Sequence, residues 1–184
     1  MTAERVAVVA DAAAASEAAA RHIAASLRAA VAERGRADWA TTGGSAAPGI
    51  YRRLADDPLR DEIPWEQVHV WWGDDRFVPR DHPLSNVKPL DDNLLDRAQL
   101  PIANLHPFRS GEAIGASRDA ASVAAAMAAE LADAGLPVAD GFPVLDLVVL
   151  GVGGDGHVLS VFPGSSAFDA RAWVVDIPAP THIE

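Results

Sequence analysis

Residues 145–164 read LDLVVLGVGGDGHVLSVFPG, and the way this stretch is understood decides the fold. Leu145 to Leu150 form an apolar run of the length of a strand buried on both faces. Glycines then occupy positions 151, 153, 154 and 156, with Asp155 among them and His157 directly after. Gly151, Gly153 and Gly156 satisfy the G-x-G-x-x-G pattern of a dinucleotide turn. Such a turn opens a sizeable helix and is followed about 20 positions on by an acidic residue. Asp176 stands at that distance, but a helix starting near Gly156 would meet Pro163-Gly164 within two turns, too short for a crossover between parallel strands. The better reading is a turn whose glycines let backbone amides approach a smaller ligand, with Asp155 and His157 facing it.

On either side the chain alternates between strand and helix patterns. Arg5 to Val9 reads as a first strand, and Asp11 as the N-cap of an Ala-rich helix reaching Glu33 and stopped by Gly35. Ala37 to Thr42 reads as a strand, Pro48 to Asp57 as a helix closed by Pro58, and Val68 to Trp72 as a strand ending at Gly73. Helices are expected over Pro89 to Ala98 and Ser117 to Ala134, with Arg109 to Gly115 a mobile loop between them. Ala172 to Val175 reads as a last strand. The alternation predicts an α/β fold, doubly wound, with a mostly parallel sheet covered by helices on both faces. Trp71 and Trp72 then point to opposite faces, so at least one belongs to the core.

The chain has 184 residues, 49% hydrophobic and 22% charged, which suits one soluble globular domain. No apolar run approaches the roughly 18 to 20 residues of a membrane span. The N-terminus lacks the layout of a signal peptide, so a cytoplasmic location is expected. With no cysteine, disulfides and thiolate metal sites are excluded. A net charge of −11 opposes general affinity for nucleic acid but leaves room for a small anion held by local groups. His22, His69, His82, His106 and His182 are scattered without ligand spacing, so no metal site is expected. No G-x-S-x-G elbow supports a serine nucleophile.

Ligands of open α/β sheets bind outside the carboxyl ends of the strands. Two further strand ends carry suitable groups. Thr42-Gly43-Gly44-Ser45 leads into a helix and offers amides, a hydroxyl and a helix dipole that suit phosphate. Gly73-Asp74-Asp75-Arg76-Phe77 offers two carboxylates and a guanidinium. Taken singly, the first is commonly a structural turn and the second a solvated loop, whereas three such ends in one sheet point to a site.

These segments resemble the glucosamine-6-phosphate isomerase/6-phosphogluconolactonase family, in its lactonase branch. The resemblance is carried by T-G-G-S at 42–45, I-Y-R-R-L at 50–54, W-W-G-D-D-R-F-V-P at 71–79, S-N at 85–86, and L-D-L-V-V-L-G-V-G-G-D-G-H at 145–157 followed by F-P-G at 162–164. It implies a Rossmann-like sheet and hydrolysis of 6-phospho-D-glucono-1,5-lactone to 6-phosphogluconate, in the oxidative pentose phosphate pathway, without metal or organic cofactor. By motif, His157 would be the general base on water, a role suited to imidazole. Asp155 would orient the site and Arg76 would stabilise charge on the lactone oxygen. Gly43, Gly44 and Ser45 would hold the phosphate, with Asp74, Gly153 and Gly154 completing the substrate set. The expected partner is a small sugar-phosphate lactone, and the expected state a monomer or weak homo-oligomer.

The sister activity, deamination of glucosamine 6-phosphate, is the nearest alternative, but its branch carries Glu where this chain has Phe162 and an aromatic where it has Arg76. A non-catalytic sugar-phosphate binder need not retain Asp155, His157 and Arg76 together. Two departures from the lactonase pattern stand out: Ala46-Ala47 follow G-G-S where Thr-Pro is usual, and Val158-Leu159-Ser160 follow the histidine where Thr-Ala-Ser is common. Ser160 reads as local packing, and only one of Asp74 and Asp75 is expected to face the pocket. Family members continue beyond Pro180, so residues 1–184 read as one domain lacking C-terminal strand and helix elements.

Overall fold

A computed structural model of the chain describes residues 6–178. Helix α1 (Ala12–Arg34) begins where the extended Asp11 accepts a hydrogen bond from the Ala14 amide at 2.8 Å and ends at Gly35, whose φ of 75° is left-handed. Its buried residues, Ala20, Ile23, Ala24, Leu27 and Ala30, recur at helical spacing. β1 (Ala37–Thr41) is buried at every position. α2 (Ala47–Leu54) and the short α3 (Leu59–Glu62) lead to β2 (Val68–Trp72). α4 (Lys88–Leu90) runs through a π-helical stretch, Asp91–Leu95, into α5 (Asp96–Ala98), filling the helix expected at 89–98. There follow β3 (Leu105–His106), α6 (Ser110–Gly115), α7 (Ala120–Asp133), the hairpin strands β4 (Val138–Ala139) and β5 (Phe142–Pro143), and β6 (Leu147–Val148).

Among the described residues the main sheet has the order β3-β2-β1-β6, and each pairing is parallel. The chain steps outward from β1 to β3 and then returns past β1 to lay β6 on its other side. Strand order therefore reverses at β1, and the crevice outside the carboxyl ends of β1 and β6 is where an open α/β sheet takes ligands. Alternation along the strands sorts the core into two layers. Trp39, Val70 and Trp72 pack with α1, α2, α4 and α5, while Ala40 and Trp71 meet Met127 and Leu131 of α7. Helices thus cover both faces, and both Trp71 and Trp72 are buried.

The face under α7 carries a polar row. Asp38, only 1% exposed, accepts from Arg36 Nε and Nη2 at 2.8 and 2.7 Å and from Trp71 Nε1 at 3.0 Å. Its amide donates to Asp146 Oδ2 at 2.7 Å, its carbonyl accepts from the Asp146 amide at 2.9 Å, and Arg34 pairs with Asp146. The register of β2 on β3 sets Trp71 beside His106, their rings stacked at 3.9 Å. His106 shares hydrogen bonds with His69 at 2.9 Å and with Glu130 of α7 at 2.6 Å. Burial, helped by the nearby Arg36 guanidinium, holds His69 below its ordinary pKa. Two of the histidines that look scattered in the sequence are therefore neighbours, although no three His, Asp or Glu among the described residues could together hold a metal ion.

Four sequence expectations are corrected. Val6–Val9 form no ladder, and Val6 and Val8 are 91% and 92% exposed; Arg5 lies outside the described residues, as does His182. The apolar run at 145–150 pairs only over Leu147–Val148, because among the described residues β6 has a partner on one side alone. Ala172–Val175 bend without pairing. The loop expected at 109–115 contains α6, which buries Ser110 and Ala113. Among the described residues no helix is long and apolar enough to cross a membrane.

Tyr51 of α2 fixes the end of β1: its hydroxyl donates to the Thr42 carbonyl at 3.1 Å and so accepts from Thr41 Oγ1 at 2.8 Å. Tyr51→Phe should leave the buried Thr41 hydroxyl unsatisfied and lower unfolding free energy by about 1–3 kcal/mol, measured by urea denaturation; an unchanged midpoint would mean that Thr41 finds another partner.

Candidate active site at the carboxyl ends of β1, β2 and β6

The glycine turn after β6 is closed by two backbone hydrogen bonds, Gly153 N–H to the His157 carbonyl at 2.8 Å and Gly156 N–H to the Gly153 carbonyl at 3.0 Å. Gly156 has a φ of 88°, a conformation side chains rarely adopt. Gly153 matters for a different reason, since a Cβ there would lie 2.2 Å from the His157 ring and displace it. The imidazole is thus laid across a glycine. Its Nδ1 sits 2.6 Å from Asp155 Oδ1, which also accepts the His157 amide at 3.1 Å. These two donors, the amide first, hold the Asp155 carboxyl below its ordinary range. An ionised carboxylate only accepts, so Nδ1 carries the proton and Nε2 of the neutral ring is left as the acceptor. Phe162 packs on the ring at 4.6 Å between centroids.

The loop after β2 separates the roles of its two carboxylates. Asp75 Oδ1 accepts from the amides of Arg76 and Asn86 at 2.8 and 2.7 Å, and Oδ2 from Ser85 Oγ at 3.2 Å, so it organises backbone. Burial pushes its pKa up, against the pull of these donors. Asp74 instead accepts from Asn86 Nδ2 at 3.1 Å and from Ser160 Oγ, beyond the glycine turn, at 2.6 Å. The Arg76 guanidinium makes no hydrogen bond or ion pair among the described residues, which leaves its donors for an anion.

The loop after β1 holds a buried Gly43 followed by an exposed Gly44, with φ of 80°, and an exposed Ser45. Among the described residues no side chain caps α2, whose first turn includes Pro48, so the amides entering this helix have no side-chain acceptor. The turn after β6 lies alongside: a Cβ on Gly151 would be 4.0 Å from Thr42 Oγ1.

A family model described as glucosamine-6-phosphate isomerases/6-phosphogluconolactonase matches residues 10–183. The chain belongs to this family. It is 40% identical over 138 residues to a 6-phosphogluconolactonase of Synechocystis, covering 75% of this chain and 54% of that protein. With a 6-phosphogluconolactonase of Streptomyces coelicolor it shares 39% identity over 149 residues, covering 80% of this chain and 57% of the relative. The chain thus spans little more than half the length of these curated relatives. Among solved structures, 6-phosphogluconolactonases from Leishmania guyanensis and Trypanosoma brucei superpose with TM-scores of 0.81 and 0.77 at 28% and 29% identity. They cover 97% and 95% of this chain, and 72% and 71% of those proteins.

Within the family's fold, the three segments singled out in the sequence come to one edge of the sheet. Asp155 and His157 meet directly; Asp74 reaches the same turn through Ser160, and Gly43 reaches Asp74 through Asn86. Asn86 and Ser160 are what sequence reasoning missed. Asn86 appears there only within a motif, and nothing in the sequence around 86 shows that its side chain spans two loops. A cavity of about 450 Å³ lies to one side under α7, lined by Trp71, Phe108, Met127, Leu145 and Trp173. It touches the site through Asp74 and Ser160 but not through His157, Asp155 or Arg76, and its apolar wall does not suit a phosphate.

Two glycine substitutions should separate cleanly. A Cβ on Gly43 would stand 1.8 Å from Oδ1 of the buried Asn86, so Gly43→Ala should cost about 1–3 kcal/mol by overpacking. Gly153→Ala meets only an imidazole that can swing outward, and should cost under about 0.5 kcal/mol in denaturant titrations. Because Asp155 is depressed by His157, its contribution to stability is present above a pH of about 4 and is lost as the pH falls through the depressed value. Displacing the ring in Gly153→Ala should raise the Asp155 midpoint part of the way back, read by carboxyl carbon NMR; an unmoved midpoint would mean the amide alone sets it.

Proposed function

We propose that the site hydrolyses 6-phospho-D-glucono-1,5-lactone, with His157 as general base. The observation carrying this reading is the contact of His157 Nδ1 with Asp155 Oδ1 at 2.6 Å, which fixes the tautomer and directs a basic Nε2 away from its partner. A water beside Nε2 gives up its proton as its oxygen bonds to the lactone carbonyl carbon. The carbonyl oxygen becomes an oxyanion, to which the unpaired Arg76 guanidinium supplies charge and donors. When the intermediate collapses, the ring C–O bond breaks and imidazolium returns the proton to the leaving oxygen as a hydroxyl. Asp155 orients the ring and stabilises its protonated form.

Gly43, Gly44 and Ser45, at the start of α2, receive the phosphate on amides and a hydroxyl, while Asp74, Gly153 and Gly154 border the sugar. With a net charge of −11, the chain needs such local donors to admit an anionic substrate. Phe162 against the His157 ring supplies bulk and no second carboxylate, which favours lactone opening over a reaction that moves a proton on a sugar carbon.

His157→Ala should reduce lactone opening by about 10²–10⁴-fold, towards the spontaneous rate, in a pH-stat assay that subtracts that rate, while 6-phosphogluconate still binds. A variant as fast as wild type would overturn the assignment of the base. Ammonia release from glucosamine 6-phosphate by the wild type would overturn the choice of reaction.

A further inference from the structure

We infer that Ser160 and Asn86 are positioning residues which, acting through Asp74, splint the three strand-end loops into one frame. The inference rests on the reading of His157 as the base and adds how that base is held in register with the rest of the site. Asp74 is the node. Its Oδ2 accepts from Ser160 Oγ at 2.6 Å, across a separation of 86 residues, and its Oδ1 accepts from Asn86 Nδ2 at 3.1 Å. That same Nδ2 lies 2.9 Å from the Asp74 carbonyl, so Asn86 grips both side chain and backbone. Asn86 is 6% exposed, and the side of its amide turned from Asp74 is pressed so closely on Gly43 that no Cβ fits. One continuous line of contacts therefore runs from the loop after β1, through that after β2, to the turn bearing His157.

The geometry at Leu159 gives independent support. Its φ of 53° is left-handed, an uncommon conformation for a residue with a large side chain. In it the Leu159 side chain covers Gly73, where a Cβ would lie 2.9 Å from Leu159 Cδ2, and the next residue is the serine bonded to Asp74. A strained backbone persists only when surrounding contacts over-determine it, and here the contacts are those joining the two loops. Both oxygens of Asp74 being occupied by protein donors marks it as a structural acceptor rather than a group that trades protons with a ligand.

The test compares Ser160→Ala with Ser160→Thr, which keeps the hydroxyl, by lactone hydrolysis above the spontaneous rate and by amide hydrogen exchange of the free protein. Ser160 is partly exposed, and its truncation leaves the core intact. Losing one buried-edge hydrogen bond should lower kcat about tenfold with KM within about twofold, because the register of the base changes and the phosphate contacts do not. Exchange should quicken at 73–77 and at 42–45 as well as near residue 160, and Ser160→Thr should restore both readouts. Faster exchange confined to 157–162, or a kcat equal to that of wild type, would overturn the splint. A wild-type rate no higher than spontaneous would sink the lactonase reading alone, leaving the exchange pattern to decide the splint.

Discussion

Asp38 is a carboxylate placed in the middle of a buried central strand, and the arrangement of the site depends on how its charge is met. Arg36, Arg34 and Trp71 meet the carboxylate, while the Asp38 amide donates to the Asp146 side chain and its carbonyl accepts from the Asp146 amide. An isolated charge there would cost far more than folding could supply. Paired as it is, Asp38 draws β2 and the approach to β6 against β1. Ladder pairing alone would hold β6 weakly, since only Leu147 and Val148 take part. The Asp38–Asp146–Arg34 cluster supplements that short ladder and so fixes where the glycine turn emerges.

From that seam the chemistry follows by geometry. Parallel strands deliver their carboxyl ends to one edge, so the loops bearing Gly43, Asp74 and His157 are brought together without being close in sequence. Each loop is held by something specific. A carboxylate and a glycine orient His157, Asp75 folds the loop that presents Arg76, and Tyr51 ties down the end of β1. Acidic residues around the site serve mostly as acceptors for the protein's own donors, which is why a chain so negative overall can still be read as receiving an anion.

Features encoded within a few residues were legible in the sequence. Asp11 and Gly35 bound α1 as caps because capping is local chemistry, and the glycines at 43 and 153 stand where a Cβ would press on Asn86 and on the His157 ring. Features that depend on register were not. Val6–Val9 and Val174–Val175 have strand composition, yet β-propensity expresses fit to a neighbouring strand, and none lies beside them among the described residues. The contact of His69 with His106 exists only because β3 lines up with β2 at Trp71 and His106. At the glycine turn, Asp155 and His157 could be paired by eye because a single residue separates them, whereas Ser160 meets Asp74 only after the whole sheet has formed.

The contact between Asp38 and Asp146 closes a loop of 108 residues, longer than any span needed to join β1 to β2 or β2 to β3. Contacts of such separation carry the greatest closure entropy and are made late, after the local helices and their neighbouring strands have consolidated. Opening of the β6 seam would leave the core between α1, α2 and β1 to β3 packed and would carry the turn bearing His157 away from the loop after β1. A small loss at these long-range contacts of Asp146 with Asp38 and Arg34 would loosen the glycine turn from the rest of the sheet while most of the helix content remained.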